Sequence, residues 1–128
     1  MNKIYEWMIE SKQTSCVLKA DGFMDLNVEI IEEDLVSFCH YGEQNGDLMR
    51  DPEMIFQIIE EQKFNQRTVK FEAQRRFIPK YYRNDYAGFE QSVLDCPNRR
   101  LDYQLPRVWN ANIKHQGFIQ NLAGKKVA

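Results

Sequence analysis

The sequence predicts an α+β fold: an antiparallel sheet of about four strands, with an N-terminal helix and two C-terminal helices packed on one face. "MDLNVEI" alternates apolar and polar residues with period two, as a half-buried strand does. Asn45-Gly46 is the dipeptide favoured in a tight type I′ hairpin turn, where both central residues need positive φ. Toward both ends of the chain the apolar spacing changes to i, i+3, i+4, the helical pattern. An antiparallel sheet flanked by such helices is an α+β arrangement. The 128 residues suit one domain, 1–128, because smaller pieces would hold little core.

Taken in order, residues 3–12 form a short helix with Ile4, Trp7, Met8 and Ser11 on one face. "KADGFMD" carries the Asp-Gly of a turn. The first strand, 24–31, directs Met24, Leu26, Val28 and Ile30 inward. After the polar link "EED", strand 35–43 returns with Val36, Phe38 and His40 on one face and Leu35, Ser37, Cys39 and Tyr41 on the other. The third strand spans 53–59 and the fourth 67–78, joined by "EEQKFNQ" as a long hairpin loop. Asp85 suits the N-cap of a helix over 86–95, which Cys96-Pro97 ends. Pro106 suits the first turn of a last helix reaching about 116, with Gly117 in the left-handed position beyond it.

Composition removes several classes of function. With 43% hydrophobic and 28% charged residues, the chain has the balance of an ordinary globular protein, not a disordered one. No apolar run approaches the roughly 20 residues needed to span a bilayer. "MNKIYEWMIESK" places acids among its apolar positions, which argues against a signal peptide and makes the cytoplasm the expected compartment. Cys16, Cys39 and Cys96 are odd in number and lack CxxC spacing, so they read as free thiols. His40 and His115 form neither HxxxH nor HExxH. There is no GxGxxG, phosphate loop or GxSxG, and no cofactor is expected.

Charge divides the chain. Residues 1–60 carry 13 acids and 4 Lys or Arg, and residues 61–128 carry 6 acids and 13 Lys or Arg. Either the halves make an acidic and a basic face, or they interleave in space and neutralise one another.

"HYGEQNGDLMRDPEMIF", 40–56, concentrates polar side chains around a turn. Pro52 cannot donate to a ladder and marks an irregularity or an edge. Such irregularities re-aim side chains, so His40, Tyr41, Glu43, Gln44, Asn45, Asp47, Asp51 and Glu53 are candidate binding residues. As chemistry, the segment offers carboxylates for a hard cation, though without calcium-loop spacing, and a histidine for acid–base work. The bland alternative is that Asp and Asn cap turns, Arg50 pairs with a neighbouring acid and His40 lies against the sheet. "VKFEAQRR" has a Glu-x-Gln that resembles a degenerate nuclease motif; Glu72 and Gln74 would then hold Mg²⁺ with Asp47 or Asp51. "RRFIPKYYR", 75–83, interleaves Arg75, Arg76, Lys80 and Arg83 with Phe77, Tyr81 and Tyr82. That pattern suits phosphate contact with base stacking, or simply a solvated strand edge.

The segment "SFCHYGEQNGDLMRDPEMIF" also resembles a family of small domains of unknown function found on conjugative plasmids, integrative elements and phages. The family pattern is His-Tyr-x-Glu-Gln-Asn-Gly-Asp-Leu-Met-x-Asp-Pro-Glu-Met. Here His40, Tyr41, Glu43, Gln44, Asn45, Gly46, Asp47, Asp51, Pro52 and Glu53 match it. A second block, "NDYAGFEQSV", matches through Asp85, Tyr86 and Gly88, which adds Asp85 and Tyr86 to the candidate binding residues. "NIKHQGF" resembles the family's C-terminal end. Gly42 stands where the family usually has a second aromatic, and the basic strand 67–83 is atypical. The resemblance implies an accessory protein of a bacterial mobile element, with no assigned activity. The expectation is a non-enzymatic module that binds protein or nucleic acid through 40–53 and 67–83 and has no membrane partner. The alternative is a metal-dependent hydrolase or nuclease with Asp47, Asp51 and Glu53, with or without Glu72, as ligands and His40 as base.

Overall fold

The computed structural model describes residues 2–20, 22, 24–44 and 46–101. Helix α1 (Asn2–Glu10) leads into six strands: β1 (Ser15–Leu18), β2 (Leu26–Glu32), β3 (Leu35–Gln44), β4 (Asp47–Asn65), β5 (Lys70–Asn84) and β6 (Phe89–Ser92). They form one sheet in chain order, each strand antiparallel to the one before it. The core lies between α1 and one face of this meander. Ile4, Tyr5 and Met8 of the helix are buried against Leu18, Leu26, Val28, Val36, Phe38, Met54, Phe56 and Ile58. Phe38 meets Phe56 edge-on, and Phe77 contacts both Phe56 and Tyr5, so rings knit three strands to the helix. The helix ends where Lys12 takes φ 56° and Gln13 N–H bonds back to Met8 C=O, the left-handed cap that satisfies a final carbonyl.

The expected α+β arrangement with two C-terminal helices is corrected. Among the described residues the fold is one six-stranded antiparallel sheet with a single short helix. The segment 86–95 is not helical. Residues 85–88 turn, with Gly88 at φ 63°, and β6 then pairs along Tyr81–Asn84. The edge of β5 offers a row of open backbone groups, and pairing with them satisfies this short segment better than an unsupported turn of helix. The helix expected over 106–116 lies outside the described residues. A strand absent from the sequence prediction, β1, pairs with β2. The supposed loop "EEQKFNQ" continues β4 as far as Asn65, and β5 runs on to Asn84 instead of stopping at 78.

Three register shifts shape the sheet. On β2, Ile31 is the extra residue between Ile30, opposite Val36, and Glu32, opposite Leu35. On β4, Asp51 and Pro52 together oppose the single residue His40, so the proline sits at the irregularity its missing N–H predicts; the Asp51–Pro52 peptide is cis. On β5, Lys80 is the extra residue between Pro79, opposite Phe56, and Tyr81, opposite Ile55. Between β3 and β4, Gln44 pairs with Asp47, leaving the two-residue Asn-Gly link; Gly46 has φ 84°. The hairpin of β4 and β5 outruns the rest of the sheet. β3 stops pairing at Gln57, while eight further β4–β5 pairs follow, from Ile58 opposite Phe77 to Asn65 opposite Lys70. That is a two-stranded arm about 25 Å long at the usual rise per residue.

Candidate functional site

Two of the three sequence blocks that carry the resemblance, 37–56 and 84–93, meet in space; the third, 112–118, lies outside the described residues. The turn after β5 folds onto the β3–β4 hairpin through three contacts. Arg50 N–H donates to Asp85 Oδ2 at 2.8 Å, and Asp85 N–H returns a bond to Arg50 C=O at 2.9 Å. Asn84 Nδ2 donates to Asp51 Oδ1 at 3.4 Å. The Tyr86 hydroxyl stands 2.5 Å from the point a Cβ on residue 42 would occupy, with Met24 Sδ close by. The glycine at 42 therefore provides the notch that Tyr86 enters.

On the sheet face opposite α1, a polar network runs across β3, β4 and β5. Ser37 Oγ donates to Glu53 Oε2 at 2.8 Å, and Glu53 Oε1 lies 3.1 Å from Arg50 Nε. That nitrogen is buried and paired in charge, but it is not aligned for a hydrogen bond. Arg83 Nε donates to Asp85 Oδ1 at 2.6 Å, and Tyr81 Oη donates to Glu90 Oε1 at 3.0 Å. The Arg50 backbone N–H, and then the Arg83 guanidinium, hold the Asp85 carboxyl below its ordinary value. Asp85 was the expected helix cap; it caps the N–H of a neighbouring strand instead. Burial, reinforced by Glu53, pushes the Cys39 thiol up to about 12, which leaves it protonated and unreactive.

His40 is buried on the α1 face, its Nδ1 3.1 Å from Asp25 C=O. Burial holds its pKa below the usual value, with the Asp25 carbonyl opposing that shift. A neutral ring anchored to backbone serves packing more directly than proton transfer. Tyr41 is half-buried opposite Arg50. Asp47 is exposed beside the turn, and Asp51 is half-buried with Asn84. For Glu43 and Gln44 only the backbone pairing, to Leu48 and Asp47, is described; Asn45 lies outside the described residues.

The proposed ligand set does not come together. Glu72 lies eleven residues farther along β5 than Arg83, the partner of Glu53, which is about 35 Å at the strand rise. It accepts a bond from Asn65 Nδ2 at 3.1 Å. Among the described residues no three His, Cys, Asp or Glu side chains are grouped to hold a metal ion.

The basic stretch divides into used and available cations. Lys80 is buried, and its Nζ donates to the carbonyls of Cys96, Pro97 and Arg99 at 2.8, 3.3 and 2.5 Å. Arg75 lies over the Tyr5 ring and pairs with Glu60 at 3.3 Å and Glu6 at 3.7 Å. Arg76 pairs with Glu61 at 3.7 Å, and Arg83 with Asp85. The acidic and basic halves of the chain thus interleave at the root of the β4–β5 arm.

Farther out the pairing of charges ends. Lys63, Arg67 and Lys70 join no ion pair among the described residues, and Phe64 and Phe71 meet edge-on at 5.3 Å in full view of solvent. A cleft of about 740 Å³ is lined there by Lys63, Phe64, Asn65, Arg67 and Glu72, among others. The sequence reading missed Lys63, Phe64, Val69 and Phe71. A signal was present: about Arg67-Thr68, Phe64 mirrors Phe71 and Glu60 mirrors Arg75, as a hairpin with cross-strand partners requires.

The protein is thus a helix-backed antiparallel β-meander with a protruding ribbon and a polar, internally tied hairpin junction. Its sequence matches, over residues 1–119, the family described as Domain of unknown function (DUF6908), and the chain belongs to that family. No curated protein and no solved structure matches it.

Proposed function

We propose that the protein is a non-enzymatic binding module, an accessory of a bacterial mobile genetic element that engages nucleic acid or a protein partner. The observation that carries this reading is the division of polar groups. At the motif junction Glu53, Asp85 and Asp51 are each held by a serine, arginine or asparagine of the fold. On the outer arm Phe64 and Phe71 meet only each other in solvent, and Lys63, Arg67 and Lys70 join no ion pair among the described residues. Groups held by the fold position backbone; groups presented to solvent recognise something else. The resemblance of the 40–53 motif to domains of conjugative plasmids, integrative elements and phages supports the genetic setting. Among the described residues no helix is long and apolar enough to cross a membrane.

The hydrolase alternative needs convergent carboxylates, and the separation of Glu72 from Glu53 counts against it. The test pairs two measurements. Supercoiled plasmid incubated with the protein and millimolar Mg²⁺ or Mn²⁺ is expected to stay intact, with no metal-dependent rise in Tm. A metal at 100 times its Kd would add about 2.7 kcal/mol. Retention on immobilised DNA, or by another protein encoded on the same element, is expected. Plasmid cleavage, saturable metal stabilisation or retention by neither sinks the reading.

A further inference from the structure

We infer that the outer part of the β4–β5 arm is a binding site for single-stranded nucleic acid, with Phe71 and Phe64 as the stacking platform and Lys63, Arg67 and Lys70 as the phosphate contacts. This rests on the binding-module reading and gives it a ligand class and a place.

Four features of the arm point the same way. First, its outer half does not belong to the core: from Glu60 to Phe64 and from Gln66 to Gln74 every residue is exposed. A bare two-stranded ribbon is marginally stable in water, so its length needs a reason other than the fold. Second, its apolar groups are large and outward. Phe71 is 71% exposed, Phe64 47% and Val69 73%. Third, Val69 holds φ 53°, a conformation that a β-branched side chain disfavours and that Gly or Asn would take more easily. An exposed residue kept in that state is not there to help the turn. Fourth, the local charge suits a polyanion. The only carboxylate among the tip residues 62–74 is Glu72, and it is engaged by the Asn65 amide. The three cations there join no ion pair among the described residues, while those at the root are matched with Glu6, Glu60 and Glu61.

Rings beside cations suit unpaired bases better than a duplex. Stacking is sequence-tolerant and needs a base face, which a closed helix does not offer. Lys63 and Lys70 alternate with Phe64 and Phe71 and so start from the other ribbon face; their long stems carry the ammonium groups past its edge to the flanking phosphates. The twisted ribbon supplies the concave surface, lined by Lys63, Phe64 and Arg67. Pairing of two arms edge to edge is less favourable. An antiparallel match of the outer part of β5 with a second copy, centred on Ala73, would set Lys70 against Arg76, and like charges placed opposite one another repel.

The experiment is fluorescence anisotropy with a labelled 20-nucleotide oligothymidylate and a mixed-sequence duplex of equal length, using the full chain. The single strand is expected to bind more tightly than the duplex. With three phosphate contacts, binding should weaken roughly 20-fold between 50 and 200 mM salt. Phe71→Ala should weaken it about 5- to 150-fold, the range found for loss of one stacked base. Lys70→Glu should weaken it further than Lys3→Glu, which makes the same charge change on α1. Circular dichroism and Tm confirm that each variant folds. Single-strand binding that survives both Phe71→Ala and Lys70→Glu overturns the arm site and leaves the binding-module reading standing. Duplex binding as tight as single-strand binding overturns the ligand class. Absence of oligonucleotide binding overturns the inference outright, whether the protein is then a monomer or a dimer that Phe71→Ala splits.

Discussion

Replacing Lys80 with methionine separates two roles for the same ammonium group. Residue 80 is the extra residue of the β5 bulge, and the bulge turns its side chain toward the 96–99 turn, where three carbonyls surround Nζ. Hydrogen bonds from a charged donor are worth about 1.5–3 kcal/mol each. Burial of the charge offsets part of that sum. The freed carbonyls of Pro97 and Arg99 belong to exposed residues, so water can reclaim them. The expected net loss for Lys80→Met is therefore about 2–3 kcal/mol, with the methylene stem kept in place. For a chain of 128 residues this corresponds to a fall in Tm of roughly 10 °C. Urea denaturation followed by circular dichroism measures the loss, and hydrogen exchange should localise it to Val93–Leu101, whose amides bond to Lys80 and Pro79 carbonyls. In the folded wild type, Lys80 should also resist acylation while Lys63 and Lys70 react. An unchanged denaturation midpoint together with ready acylation of Lys80 would refute the internal role and return this lysine to the binding surface.

Other outcomes follow from the same geometry. The buried, neutral His40 must gain a proton on unfolding, so its depressed pKa makes the unfolded state the tighter proton binder. Stability should hold near pH 7–8 and fall as the pH drops below the ordinary histidine value of 6.5; His40→Asn should flatten that slope in pH-dependent denaturation. A separate decline is expected as pH falls below 3.8, where the depressed Asp85 begins to favour the unfolded chain. Gly42→Phe should push Tyr86 out of its notch, and a double-mutant cycle with Tyr86→Ala should show a coupling of about 1 kcal/mol. Additivity would mean that Tyr86 does not occupy the notch. Val69→Asn should raise stability by about 1 kcal/mol, since asparagine tolerates positive φ; a loss would place the backbone elsewhere.

Much of the sheet was legible in the sequence, where one face of each strand is buried. Leu26, Val28, Val36 and Phe38 alternate because the α1 face demands it, and the Asn-Gly link was readable because two-residue hairpins admit few residues. Only one side of the arm was legible: Val69, Phe71 and Ala73 alternate with polar neighbours and mark the strand 67–78, whereas 60–66 holds a single apolar residue, Phe64, sets no alternation and reads as a loop. β6 was read as helix because Tyr86, Phe89 and Val93 fall at helical spacing by coincidence. In the fold Phe89 packs on the Tyr82 ring as a strand residue. Asp85, sound as a capping residue, could not disclose that its N–H partner lies 35 residues away on β4. The motif residues were read as a place of interest, and the structure brings Arg50, Asp51, Glu53 and Asp85 together. What the sequence alone could not separate was a lysine that faces solvent from one that ties down a turn.

The order of the strands has a consequence for how the molecule comes to be. Every strand neighbours its predecessor, so each addition to the sheet closes a short stretch of chain, and such local topologies fold quickly for their size. The β4–β5 hairpin is the longest ladder in the sheet and can grow from its own turn before either flank arrives. With β4 and β5 laid down, β3 and then β2 add on one side and β6 on the other, and the helix seals the last apolar face. A sheet assembled this way loses only an edge when β6 is removed, whereas removing α1 uncovers the apolar face of its central strands.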